Sequence, residues 1–365
     1  MMDALKKIDK KFLYIFGGII ALLVIFIIFA VFASMMSGPG KDYAGLETKL
    51  VEAAQKYVKD NKDSAPEIGE VIIVSSETLV SGGHLKELSK YVSDECTGQV
   101  IVMNNNKLLN YIPELNCTEY NTKKLAATIL DENLVIESTN PYQSGLYEHD
   151  GEYIFKGKTP KNYVSFGGVT WRIIKIDRSG NLRLLKAEPE KQQVQWDTKY
   201  NLETKKSNGK NDYEFSSLLE RLKSNYSGFK EENKRMLVRH DVCVGKREAK
   251  DYTQSVDIDC AEILENQYIS TLYISEVSMA SLDEDCNSAR TGSCRNYNYM
   301  TGLVSSAWTT NAVKNNTYEI FTVSPGTIGR HEGNRRYNYF WVIYVSGQEN
   351  FKSGSGTKDD PYIIR

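Results

Sequence analysis

Six cysteines, four histidines and 47 acidic residues are the groups in this sequence with types suited to covalent, metal or acid–base chemistry. The cysteines are Cys96, Cys117, Cys243, Cys260, Cys286 and Cys294, and no Cys-x-x-Cys spacing occurs among them. Structural zinc is held by four converging thiolate or imidazole donors, usually in such short spacings. The histidines, His84, His149, His240 and His331, are scattered, so zinc is disfavoured and no metal or cofactor is expected. An even cysteine set in an exported chain reads as a disulfide framework. Sequence neighbours give three local loops: Cys96–Cys117, Cys243–Cys260 and Cys286–Cys294. Loops of this length stabilise by about 2–3 kcal/mol each, by restricting the unfolded chain. Six free thiols are the alternative, in surroundings that keep them reduced.

A Ser-His-Asp hydrolase needs a base beside its nucleophile. His240-Asp241 and His331-Glu332 are the histidine–acid neighbours, and no Gly-x-Ser-x-Gly turn accompanies them. Glycoside cleavage needs two facing carboxylates, and no acid here sits in a pattern that marks such a pair. Asp283-Glu-Asp-Cys286 is the densest acidic point, without the spaced oxygen ladder of a calcium loop. Phosphate- and dinucleotide-binding glycine patterns are absent. No catalytic residue and no enzymatic activity are therefore expected.

Tyrosine is abundant, at 23 residues, which suits half-buried β-surfaces where the ring packs and the hydroxyl stays wet. Tyr297, Tyr299, Tyr337 and Tyr339, the last two leading into Phe340 and Trp341, offer a ligand face for a glycan or a protein. Strand alternation sends half of such a run into a core. Trp171 and Trp308 read as core outright.

Groups of these kinds act only if the chain positions them in the right compartment. The formal net charge of −2 argues against nucleic-acid binding, which wants a basic face. From Phe12 to Gly40 there is no charged residue, while Lys6, Lys7, Lys10 and Lys11 precede this run. About 20 apolar residues cross a bilayer, and positive flanks stay in the cytoplasm. The expectation is a cytoplasmic tail over 1–11 and a single transmembrane helix over 12–36, with everything beyond it extracellular. A cleaved signal peptide ending near Val31-Phe32-Ala33 is the rival, although the apolar run exceeds the usual signal core of about 7–15 residues.

Beyond the anchor the fold class is α+β. Leu46, Leu50, Ala53, Ala54, Tyr57 and Val58 recur at helical spacing, predicting a helix over Tyr43–Asp60. A short strand follows at Val71–Val74, then a short helix capped by Ser76. A hairpin pairs 99–103 with 108–112 around Asn104-Asn-Asn106. A helix is expected near 122–134 and a turn-rich linker at 138–151. Strands return at 153–155, 163–166, 170–176 and 182–185, and a polar loop spans 200–214. A helix runs from Phe215 to Tyr226, and strands occupy 318–323 and 337–345. The expected domains are a helix-plus-antiparallel-sheet unit over 42–121, a helix and linker over 122–150, and a β-rich domain over 151–365.

Two resemblances attach to these residues. Residues 43–121 resemble the head of type IV pilin-like or pseudopilin-like proteins of Gram-positive bacteria, through Glu52-Ala-Ala-Gln-Lys-Tyr-Val58, Glu77–Leu88, Cys96-Thr-Gly-Gln-Val and Leu115-Asn-Cys117. The resemblance implies a helix packed on a small antiparallel sheet. The chain departs from it at Lys11-Phe12-Leu-Tyr, which lacks the prepilin glycine and glutamate, and at Gly38-Pro39-Gly40, which interrupts the helix. Residues 145–365 resemble an extracellular domain of Bacillota surface proteins, through Gly145-Leu-Tyr147, Trp171–Ile176, Cys243–Arg247, Asn296–Met300 and Gly356–Tyr362. That domain is distantly similar to C-type-lectin and formylglycine-generating-enzyme folds. The implied protein is a membrane-anchored surface protein presenting a non-enzymatic binding domain. A minor pseudopilin of a secretion or competence apparatus, and a surface enzyme acting on wall or glycan, are its rivals.

Overall fold

The computed structural model describes residues 40–105, 108–137, 143–198, 211–283, 297–301 and 306–364. The expected tail over 1–11, the membrane helix over 12–36, the Cys286–Cys294 pair and most of the polar loop lie outside these residues. Among the described residues no helix is long and apolar enough to cross a membrane.

The chain is α+β and divides into two compact units. The smaller takes the residues up to Asp60 with Val74–Val100 and Glu114–Asn121; the larger takes Asn61–Ile73, Ile101–Pro113 and Thr122–Arg365. The N-terminal elements are α1 (Tyr43–Asp60), β1 (Val71–Ser75), α2 (Ser76–Ser81), β2 (Cys96–Asn105) and β3 (Leu108–Cys117). Then come α3 (Leu125–Glu132), β4 (Gly145–His149), β5 (Glu152–Lys156), β6 (Tyr163–Phe166), β7 (Val169–Ile176), β8 (Leu182–Lys186) and β9 (Val194–Gln195). Next are α4 (Ser217–Ser227), α5 (Glu231–Met236), β10 (His240–Cys243), α6 (Val256–Asp259), β11 (Ile263–Gln267) and α7 (Ile274–Met279). Strands β12 (Ala307–Ala312), β13 (Glu319–Ser324), β14 (Thr327–Glu332), β15 (Arg336–Tyr339), β16 (Val342–Val345), β17 (Phe351–Ser353) and β18 (Tyr362–Ile364) complete it.

Helix α1 has the bounds its periodicity predicts and buries Leu46, Leu50, Ala53, Ala54 and Val58. Its one buried acid, Glu47, accepts a hydrogen bond from the Tyr120 hydroxyl at 2.9 Å. The cap of α2 is Ser75, whose hydroxyl accepts from Thr78 N at 3.2 Å, one residue before the expected Ser76. Ser76 is buried instead and accepts from Gly98 N. The sheet order is β1–β2–β3. Its hairpin is longer than predicted, so Cys96 and Cys117 fall within the strands rather than outside them. They form a disulfide with Cα atoms 4.1 Å apart.

In the larger unit a sheet runs β16–β8–β7–β6–β18–β17, with β5 added to β7 and β4 to β5. A second sheet runs β14–β13–β12–β15–β9, and β10 pairs with β11. The segment 122–150, expected to be a helix and linker, supplies Leu125, Ala126, Ile129 and Leu146 to the core of this unit. Trp171, Trp196 and Trp308 are buried, and each indole N–H donates to a backbone carbonyl, of Phe166, Thr309 and Val194 respectively.

The predicted strand over 337–345 is two strands, β15 and β16, in different sheets. The sequence hides the break because the run stays apolar and aromatic from Tyr339 to Val345. In β16 Val342, Ile343, Tyr344 and Val345 are all buried, so alternation fails where both strand faces are covered.

The Cys243–Cys260 bond closes the charged stretch Gly245–Asp259, with Cα atoms 4.3 Å apart. The stretch also turns its charges inward. Arg247, fully buried, donates to Asp259 Oδ1 at 2.5 Å, to Asp251 Oδ1 at 3.1 Å and to the Ser255 carbonyl at 2.7 Å. Asp259 further accepts from Ser275 N and Asn311 Nδ2. The hydrogen bonds tie the loop together, and removing either partner would strand a buried charge.

Candidate functional site

Neither histidine–acid neighbour forms a catalytic pair in the structure. Both His240 nitrogens are buried and neither bonds an acid among the described residues, while Asp241 accepts from Asn266 N at 3.0 Å. Burial, reinforced by the nearby Arg183 charge, pushes the His240 imidazole down to about 3. His331 lies against the Tyr337 ring at 4.5 Å, and Glu332 pairs with Arg335 at 3.7 Å. Among the described residues the one grouping with metal-ligand spacing is Asp94, Cys96 and Cys117, and its sulfurs are consumed by the disulfide. Of the acidic point at 283–286, only Asp283 is described.

The four tyrosines expected to face a ligand divide by burial. Tyr299 is 7% exposed and Tyr339 1%, so these two do not present their rings to solvent. Arg172 stacks over Tyr299 at 4.5 Å and over Tyr163 at 4.0 Å, and burial pushes the Tyr299 hydroxyl well above its usual range. Tyr297 and Tyr337 are half-buried, and Tyr337 sets its ring edge-on to Trp308 at 5.0 Å.

A different set of aromatics assembles at the surface of the larger unit. Tyr268, Tyr226, Phe229 and Trp341 are all half-buried and contact one another in that order. The centroid separations are 5.1 Å, 6.3 Å and 5.6 Å. Trp171 underlies the row, 6.5 Å from Phe229 and 6.4 Å from Trp341.

Local structure explains each placement. Helix α4 is started by the Ser216 hydroxyl accepting from Leu219 N at 3.1 Å. It turns Leu218, Leu219 and Leu222 into the core, which leaves Tyr226 on its last turn and Phe229 just past it. Asn225 Nδ2 donates to the Tyr339 hydroxyl at 2.9 Å, so buried Tyr339 props the helix end that carries Tyr226. The pairing of β10 with β11 shifts register between His240 and Val242, and Asn266 adopts φ 59°. Such a bulge re-aims the residues after it, and Tyr268 is one of them. Trp341 sits where the chain passes from one sheet to the other. Unlike the other three tryptophans, its N–H is buried without an acceptor among the described residues.

Cations lie on this row. Lys234 Nζ is 5.6 Å from the Tyr226 centroid, Arg239 Cζ is 5.2 Å from Tyr268, and Lys186 Nζ is 4.3 Å from Trp341. Lys186 is paired with Glu190, and Lys234 approaches Glu231 at 3.9 Å. Arg239 is exposed and donates from Nε to the Tyr268 hydroxyl at 2.5 Å. It has no carboxylate partner among the described residues.

Two clefts elsewhere gather charged side chains. A cleft of about 540 Å³ in the larger unit is lined by His149, Asp150, Glu152, Lys175, Arg178 and Asp257. Its charges are largely answered within it: Lys175 binds Glu152 at 2.7 Å, and Arg178 donates to the Asp150 carbonyl at 2.7 Å. In the smaller unit a cleft of about 590 Å³ gathers Glu77, Glu87, Asp94 and Glu95, and Asp94 is already bound to Tyr43 and Glu119 N.

No family model, curated protein or solved structure matches this chain. The surface aromatic row was not legible as a unit in the sequence. Its members come from three separated segments at element ends, which no sequence periodicity links.

Proposed function

We propose that the chain is a membrane-anchored bacterial cell-surface protein whose larger unit is a non-enzymatic, glycan-binding adhesion domain. The observation that carries the binding reading is the half-buried row Tyr268–Tyr226–Phe229–Trp341. Sugar rings carry apolar C–H faces, which pack on aromatic surfaces, while nearby polar groups meet the hydroxyls. The uncharged run from Phe12 to Gly40 and the lysines before it support a single-pass anchor with an extracellular remainder. The two disulfides, one in each unit, support an oxidising compartment. Residues 145–365 resemble a domain of bacterial surface proteins, which agrees with this reading.

A second reading, a minor pseudopilin, draws on α1, the β2–β3 hairpin and its disulfide. Detection in sheared filaments is what it requires.

The test of the leading reading is cellular. Cells making the full chain should retain fluorescent polysaccharide and lose it after external protease. The protein should remain with carbonate-washed membranes. Full-length chain in the carbonate supernatant, or cells that bind no polysaccharide, would contradict the proposal.

A further inference from the structure

We infer that the aromatic row selects an acidic glycan, with Arg239 receiving the carboxylate of a uronic-acid residue. This rests on the glycan-binding reading and specifies its ligand. The argument begins with the other arginines that stack on tyrosine in the same unit. Arg183 lies over Tyr273 at 4.3 Å and Tyr344 at 5.2 Å and is neutralised by Glu276, whose two oxygens meet its Nε and Nη2. Arg172 lies between Tyr163 and Tyr299 and spends its donors on Asn162 Oδ1 at 2.6 Å and the Tyr163 hydroxyl at 2.9 Å. Both are interior or largely covered, and their stacking is structural.

Arg239 also stacks on a tyrosine, Tyr268, but stands at the surface without a counter-ion among the described residues. Its Nε is fixed by the Tyr268 hydroxyl, and the ring beneath it is itself stacked on Tyr226 at an interplanar angle of 8°. The guanidinium is therefore pre-oriented. A planar fork of N–H donors held in one orientation matches a carboxylate in two-point contact, and little side-chain freedom remains to be lost on binding. Lys234, held at Tyr226 and donating to the Ser227 carbonyl at 3.1 Å, adds positive charge one ring further along. A polymer that repeats an apolar sugar face and a carboxylate meets both features of this row: rings for the sugar and fixed cations for the acid.

The test titrates the full chain in a zwitterionic detergent with polygalacturonate and with neutral dextran. Wild type should prefer polygalacturonate, and added salt should weaken that preference. Arg239→Gln should lose about tenfold of the affinity for polygalacturonate, the loss expected for a charge-assisted hydrogen bond, and keep its affinity for dextran. Arg239→Lys should recover part of the loss, since it restores charge without the fork. Tyr226→Ala should weaken both polymers. Equal binding of the two polymers, or polygalacturonate binding unchanged by Arg239→Gln, would overturn the acidic-glycan inference while leaving glycan binding intact. Full affinity for both polymers in Tyr226→Ala, or no binding of either by wild type, would overturn the glycan-binding reading itself. A sulfated dextran that binds as tightly as polygalacturonate, with the same dependence on Arg239, would show that charge alone is read and would overturn the carboxylate assignment.

Discussion

Arginine stacked on tyrosine occurs both inside the larger unit and on its surface, and the two instances differ in what neutralises the cation. Burial works against the Arg183 charge, but the Glu276 carboxylate outweighs it and holds the guanidinium firmly protonated. Arg239 lies exposed over Tyr268 and has no carboxylate partner among the described residues. A buried charge needs oxygen partners within the fold, a carboxylate for Arg183 and an amide and a hydroxyl for the largely covered Arg172, because desolvation otherwise exceeds the gain from stacking. A surface charge needs none, so an unpaired cation set rigidly on a ring is available to an anionic ligand. The comparison separates residues that hold the fold from residues that recognise something outside it.

The largest effect should come from breaking the interior member. Glu276→Ala leaves Arg183 buried and unneutralised, and should cost about 3–5 kcal/mol in denaturant unfolding. A loss below about 1 kcal/mol would place the two arginines in the same class.

Buried groups with no full counter-ion extend the comparison. Glu349 is buried, accepts from Asn110 Nδ2 at 2.6 Å, and is pushed by burial up to about 7, against that hydrogen bond and the Lys124 charge. Its raised value means that the folded state keeps a proton the unfolded chain loses, so this contribution to stability falls as pH rises from 4.5 towards 7. Glu349→Gln should therefore be more stable than wild type by up to about 3 kcal/mol at pH 8 and nearly equal to it near pH 4. A variant less stable than wild type at pH 8 would show that the carboxylate is ionised and satisfied.

His240 has the opposite sign. With its folded value near 3 against the usual 6.5, the unfolded chain takes up a proton that the fold refuses. This contribution is complete above pH 6.5 and is lost as pH falls towards 3. Between pH 7 and pH 5 wild type should lose about 2 kcal/mol through His240, a loss that His240→Phe removes. The Glu349 and His240 slopes oppose each other between pH 4.5 and 6.5, so each is read as a difference between variant and wild type.

The smallest stability effect belongs to the surface member. Arg239→Gln should change unfolding stability by less than about 1 kcal/mol, as exposed charges do. A larger cost would make Arg239 part of the fold rather than of a recognition surface.

The sequence revealed those parts of the fold in which periodicity and burial agree. Helix α1 carries an apolar stripe of one width, and β6, β7 and β8 carry apolar runs bounded by Gly167-Gly168 and Gly180. The disulfides at Cys96–Cys117 and Cys243–Cys260 followed from short loop closure. Alternation misled where strands are covered on both faces, as in β16, and the expected ligand face lost Tyr339, at a strand end, and Tyr299, in a bend, to the core. The network around Arg247 and Asp259 was invisible because a buried ion pair has the same composition as a solvated loop. The surface row was invisible for a different reason. Tyr226, Phe229, Tyr268 and Trp341 meet only after a helix end, a bulged hairpin and a sheet crossover have each been placed by the core.

The most direct measurement of the central claim is the affinity of the full chain for a panel of purified polysaccharides, compared with Tyr226→Ala and Tyr268→Ala and paired with thermal unfolding of each protein. The account predicts polysaccharide binding by wild type and at least tenfold weaker binding by both variants, as expected for the loss of a well-packed aromatic contact. It also predicts that both variants unfold cooperatively within a few degrees of wild type. Binding at wild-type strength in both variants would contradict it.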